Sequence, residues 1–203
     1  AYAGGRFTGR NPPVTDQFEK LQSEVAANIA GLREDGDVQA LSRIWLREIT
    51  RHKYAYNFAW MGRPLIQFPQ DMIGMQELIW SVRPDLIIET GIAHGGSLIM
   101  NASLLALLDY ADAASTGGVV DPARPKRRVL GVDIDIRSHN HAAIEAHPMA
   151  SSITMIQGSS ISSDVVDQVR SIASGYSRIL VCLDSNHTHE HVLAELEAYA
   201  PLV

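Results

Sequence analysis

The chain has 203 residues, of which 46% are hydrophobic, 20% charged and 6% aromatic, a composition that excludes a disordered or fibrous protein. With 17 Lys and Arg against 23 Asp and Glu, the formal net charge is -6, leaving no extended positive surface for a phosphate backbone and excluding nucleic acid as a partner. The length favours one domain or a domain with an appendage, and no stretch approaches the ~20 apolar residues of a membrane span. The Gly-rich, Arg-containing start lacks a signal-peptide core, so a cytoplasmic protein without membrane partners is expected.

Residues 1–14 carry Gly4, Gly5, Gly9, Pro12 and Pro13 and predict an irregular arm. Phe18, Leu21, Val25, Ile29 and Leu32 then recur at helical spacing until Gly36, and Leu41, Ile44, Trp45 and Ile49 continue in a second amphipathic helix. From His52 to Gln70 an aromatic segment with Tyr54, Tyr56, Phe58, Trp60 and Phe68 shows no clean period, which predicts a loop, either functional or covering the edge of the core. Residues 1–70 are therefore assigned to an N-terminal arm, two helices and an aromatic loop, and residues 71–203 to the main domain.

From Asp71 the pattern alternates: helix to Val82, strand Asp85 to Glu89, helix Ser97 to about Tyr110, and a polar excursion from Asp112 to Arg128. A strand over Val129 to Ile134, a short helix near Ala142 to Ala146 and a strand over Ile153 to Gln157 follow. A helix from Ser163 to Ala173, a strand over Arg178 to Leu183 and a helix from His189 to Tyr199 complete the order. Apolar strands alternating with helices predict an α/β fold with a mostly parallel sheet covered on both faces. Four strands would leave the last as an open apolar edge, so further chain or another cover is expected there. Arg124, Lys126, Arg127 and Arg128 cluster in the excursion and are expected to be solvated. Cys182, the only cysteine, lies in an apolar run, where a buried inert thiol in a reducing compartment is expected.

In open parallel sheets, ligands bind beyond the carboxyl ends of the strands, where the strand order reverses. The four strand ends here are Glu89-Thr90-Gly91, Asp133-Ile134-Asp135, Gln157-Gly158-Ser159-Ser160 and Asp184-Ser185-Asn186-His187. Gly91 permits a sharp turn, and Gly95-Gly96 remove side chains where a ligand would approach the backbone. Ala93 breaks the dinucleotide pattern, and a carboxylate at Glu89 suits a cationic ligand such as the sulfonium of S-adenosylmethionine. Asp133 is placed to accept hydrogen bonds from ribose hydroxyls, or to cap. Ser159 could border an adenine, or cap the following helix. Asp184 is an oxygen ligand suited to Mg²⁺, and His187 a candidate base, against the plainer readings of a helix cap and an exposed imidazole. The run His187-Thr188-His189-Glu190-His191 also resembles a zinc motif of hydrolases, but no His, Cys or Asp follows it.

The segments Trp60 to Pro64, Gln67 to Asp71, Ile88 to Ser97, Gly131 to Arg137 and Leu183 to His189 together resemble the cephalosporin hydroxylase / methyltransferase family, whose relatives include sugar O-methyltransferases of antibiotic and glycolipid biosynthesis. The resemblance implies a Rossmann-like methyltransferase binding S-adenosylmethionine, with Mg²⁺ near the transferred methyl. It would place Glu89, Gly91 and Ser97 at the methionine end, with Ala93, Gly95 and Gly96 also among the cofactor-binding residues, Asp133 on the ribose, Ser159 near the adenine and Asp184 on the metal. His187 falls where related catechol-type enzymes often carry Lys. Further metal ligands would follow a fifth strand, so this chain is expected to hold only part of a metal site and neither to bind Mg²⁺ tightly nor to turn over alone.

The expected activity is O-methylation of a hydroxyl on a small natural product or sugar, by a homo-oligomer. Two alternatives stand beside it: a metal-dependent hydrolase or hydroxylase using His187, His189 and His191, and a non-catalytic cofactor-binding domain.

Overall fold

A computed structural model describes residues 16–203; the arm expected over residues 1–14 lies outside the described residues. The chain divides between Ala55 and Tyr56 into two compact units. In the first, helix α1 (Asp16–Glu34) is followed by α2 (Gly36–Arg51). Asp35 separates them by accepting from the backbone N–H groups of Asp37 and Val38, which satisfies free donors of the first turn of α2. Trp45 and Tyr54 meet edge to face at 5.9 Å.

The second unit begins ahead of the expected boundary at residue 71, because the aromatic segment is not merely a loop. It forms an antiparallel hairpin, β1 (Phe58–Trp60) and β2 (Arg63–Leu65), turned at Met61 and Gly62, both with positive φ. The indole N–H of Trp60 donates to Ser103 Oγ at 2.9 Å, and Leu65 is buried in the main core. The remaining elements are α3 (Pro69–Val82), β3 (Leu86–Thr90), α4 (Gly96–Thr116), β4 (Arg128–Asp133), α5 (Ser138–Glu145), β5 (Ile153–Gln157), α6 (Ser163–Ala173), β6 (Ile179–Leu183) and α7 (His189–Tyr199). Helix α4 runs past the expected end at Tyr110 because Ala111, Ala113 and Ala114 favour helix, and Gly117 closes it at φ +72°.

The four strands are parallel in the order β5-β4-β3-β6, so β3 is central and β6 lies at one edge of the described sheet. Every residue of β3 is buried, as expected for a strand covered on both faces. Its side chains alternate: Ile87, with Val129, joins a core with α3 and α4, whereas Leu86 and Ile88, with Leu130 and Val132, pack against α6 and Tyr199 of α7. Among the described residues, no helix is long and apolar enough to cross a membrane.

The basic cluster is corrected in part. Arg124 is exposed, but Arg127 is buried and ion-paired with Asp109 and Asp112 of α4. A single buried guanidinium held by two carboxylates anchors the excursion to the helix. Cys182 is half-buried in β6, and burial, with the nearby Glu89 and Asp184 charges, pushes its thiol up to about 12, so it is inert at neutral pH.

Candidate active site

The order reverses at β3, whose successors β4 and β6 lie on either side of it, and two cavities open at the carboxyl ends of these strands. The larger, about 410 Å³, is lined by Gly91 to His94, Gly96 and Ser97 of the turn, by hairpin-side residues including Tyr56, Leu65 and Gln67, and by Asp133, Asp184 and His187. The smaller, about 150 Å³, is lined by Asp133, Ser159, Ser160, Ser185, Asn186 and His191. Gly91, Asp133 and Ser185 border both, so the two form one groove across the ends of β4, β3 and β6.

Gly91 sits at φ +91°, and a Cβ there would lie 2.1 Å from the carbonyl oxygen of Asp184. Only glycine lets the β3 turn pass the β6 end so closely. The expectation that Gly95 and Gly96 clear space for a ligand is corrected. Side-chain atoms of Ile144 fill the space beside Gly95, and at Gly96 the hairpin backbone at Pro64 would stand 2.2 Å from a Cβ. Gly96 still borders the larger cavity; Gly95 does not line it.

The turn is held from both sides. Asp133 Oδ2 accepts from the N–H groups of Ile92 at 2.7 Å and Ala93 at 3.2 Å, and its Oδ1 from that of Asp135 at 3.0 Å. A carboxylate has about four lone-pair sites, so Asp133 keeps about one for a further donor in the groove. From the opposite side the Arg63 guanidinium donates to the carbonyl of His94 and to Asn140 Oδ1 at 3.1 Å, while Asn140 donates to the carbonyl of Ala93 at 2.9 Å. Ala93 takes φ +45° within this clamp. Arg63 and Asn140 escaped the sequence reading, because only the fold brings the hairpin and α5 to the turn.

Glu89 does not line either cavity. It is buried behind Ser97, accepting from Ser97 Oγ and from Asn101 Nδ2 at 2.8 Å. Burial pushes its carboxyl up to about 7, against the lowering effect of those two hydrogen bonds, and Asp184 adds a smaller upward push. Asp184 follows β6 and is half-exposed, with His187 Nε2 3.6 Å from its Oδ1. Burial raises the Asp184 pKa, partly opposed by His187.

Asp184 could give one oxygen to a metal ion, but among the described residues no three His, Cys, Asp or Glu side chains are grouped to hold one. The zinc reading of the histidine run is thereby corrected. His187 faces Asp184, whereas the Nε2 of His191 turns to Ser160 Oγ at 3.1 Å and Ser185 Oγ at 3.2 Å. His187 lies in the loop before α7 and His191 within the helix, which gives them different surroundings.

Residues 52–203 match the model of the family described as Rhamnosyl O-methyltransferase/CmcI. The chain is 28% identical over 159 residues to the rhamnosyl O-methyltransferase of Mycobacterium leprae (strain TN), covering 75% of this chain and 61% of that protein. It is 27% identical over 160 residues to the enzyme of the same name from Mycobacterium bovis (strain BCG / Pasteur 1173P2), covering 75% and 57%. The chain thus spans about three fifths of the length of the curated relatives it matches. Among solved structures, it is similar to a CmcI structure with Mg-SAM at 17% identity and a TM-score of 0.48, covering 73% of this chain and 53% of that one. It is also similar to a CmcI structure with SAH at 17% identity and a TM-score of 0.44, covering 68% and 58%.

Proposed function

We propose that this chain, which belongs to the Rhamnosyl O-methyltransferase/CmcI family, binds S-adenosylmethionine in the groove and takes part in methylating a hydroxyl of a small natural product or sugar. The observation that carries the reading is the single groove over β4, β3 and β6, with Asp133 at one strand end and Asp184 and His187 at another. S-adenosylmethionine, when bound, would supply a methyl group on a positive sulfur for transfer to the acceptor oxygen.

The chain's own residues provide the surroundings. Ser97 Oγ gives its proton to Glu89, leaving lone pairs toward the larger cavity, where an ammonium group would be accepted. Asp133 turns its remaining acceptor capacity to a ribose hydroxyl, and Ser159 borders the base. His187 takes the proton of the acceptor hydroxyl, and the neighbouring Asp184 carboxylate favours the imidazolium that results. Asp184 would also give one oxygen to Mg²⁺, an ion that takes one or two protein carboxylates and keeps several waters. Tyr56, Ile66 and Gln67 wall the cavity on the hairpin side and would meet the acceptor.

Calorimetric titration with S-adenosylhomocysteine tests the reading. Wild-type chain binds it, and Asp133→Ala, which removes both the ribose acceptor and the anchor of the turn, weakens binding at least about tenfold. Equal affinity of the two proteins would reject the role given to Asp133; no binding by either would reject the cofactor.

A further inference from the structure

At the floor of the smaller cavity lies a cluster that the methyl-transfer reading leaves unused. Glu195 of α7 is fully buried, yet among the described residues no Lys or Arg reaches it. Its Oε1 lies 2.5 Å from Ser160 Oγ, 2.6 Å from Ser185 Oγ and 3.4 Å from His191 Nε2, and its Oε2 has no hydrogen-bond partner among the described residues. The hydroxyl of Tyr199 seals the far side by donating to the carbonyl of Ser160 at 2.6 Å.

Proton counting sets the direction of every bond. Both serine hydroxyls donate to Glu195 Oε1, so each has spent its single proton. His191 Nε2, within reach of the same three oxygens, must then be an N–H donor. The arrangement is not a nucleophilic relay, because that needs the carboxylate on one ring nitrogen and the serine on the other, whereas here all of them meet Nε2.

The consequence falls on the cavity lining. Ser160 and Ser185 can offer only lone pairs to an occupant. Asn186 uses its Oδ1 on the backbone N–H of Thr188 at 3.0 Å, leaving its Nδ2 as a donor. A lining of several acceptors and an amide donor fits a 6-amino purine, which presents an amino donor beside a ring-nitrogen acceptor. A 6-oxo purine presents the reverse pair and would meet serine lone pairs with its own carbonyl.

Resting on the cofactor reading above, we propose that Glu195 is a positioning residue that makes the smaller cavity selective for the 6-amino purine of the cofactor, by drawing the protons of Ser160 and Ser185 away from the base. Its carboxyl does not line the cavity; it acts through the two hydroxyls and His191.

The test measures S-adenosylhomocysteine and its 6-oxo counterpart, S-inosylhomocysteine, by calorimetry on wild type, Glu195→Gln and Ser185→Ala. Wild type prefers the amino compound by about tenfold or more. In Glu195→Gln the carboxamide can itself donate, the serines are free to turn their protons outward, and the preference collapses toward unity. Ser185→Ala, which removes one hydroxyl at the cavity wall and keeps the buried acid, lowers the preference if Glu195→Gln does not fold. A merely structural role would weaken both ligands equally and leave their ratio unchanged; an unchanged ratio in a folded variant overturns the proposal. Failure of wild type to bind either compound would instead remove the cofactor reading, and this proposal with it.

Discussion

Replacing Glu89 by Gln separates a structural cost from a binding role. The carboxyl is 2% exposed, and burial raises its pKa from 4.5 to about 7. Between those values the folded chain holds a proton that the unfolded chain has released. Stability associated with neutral Glu89 is therefore fully present below pH 4.5 and lost as pH rises through about 7. At about 1.4 kcal/mol per pH unit over that interval, the loss amounts to ~3 kcal/mol. A Gln side chain is neutral at every pH, and its oxygen can still accept from Ser97 Oγ. In urea unfolding followed by circular dichroism, Glu89→Gln should match wild type at pH ~5 and exceed it by about 2 to 3 kcal/mol at pH ~8. A difference that stays constant across that range would show that Glu89 does not change protonation on folding, and would refute the reasoning.

Two further substitutions probe the turn itself. Gly91→Ala places a Cβ 2.1 Å from the Asp184 carbonyl at φ +91° and should cost about 3 kcal/mol or more, whereas Gly62→Ala, at φ +84° with open space around it, should cost about 1 kcal/mol. Equal losses in the two denaturation curves would mean that backbone conformation, not the approach of β6, requires glycine at Gly91. Arg63→Ala frees the carbonyl of His94 and should speed hydrogen exchange at Ala93 to Gly96 while leaving β3 protected. Unchanged exchange at the turn would show that Asp133 and Asn140 hold it without Arg63.

The sheet was legible in the sequence because its strands are short apolar runs between helical periods, and the polar strand ends were legible because a parallel sheet collects them on one side. The hairpin was not, since strands of three residues carry too little alternation to register a period, and its turn depends on positive φ at Met61 as well as Gly62. The burial of Arg127 was hidden for another reason. Of its partners, Asp112 lies on α4 only because the helix continues to Thr116, and no local pattern around Arg127 encodes its return to Asp109 and Asp112. Glu195 looks in sequence like any helix glutamate beside Leu196 and Glu197; its burial goes with the chain segments that follow β5 and β6 and bring Ser160 and Ser185 to it, a tertiary property.

The two buried glutamates share one logic. Each stands behind the groove wall, and each takes the protons of serines that face the groove: Glu89 that of Ser97, Glu195 those of Ser160 and Ser185. Asp133 between them spends most of its acceptor capacity on the turn and keeps the rest for the groove. The wall therefore presents lone pairs along its length, although most of the charge behind it is withdrawn from solvent. A ligand rich in N–H and O–H donors and carrying positive charge complements such a wall at both ends, whereas an anionic pyrophosphate would meet acceptors where it needs donors. That contrast separates this turn from a dinucleotide-binding loop on grounds the glycine spacing alone could not supply, because the discrimination resides in which way the hydroxyl protons point.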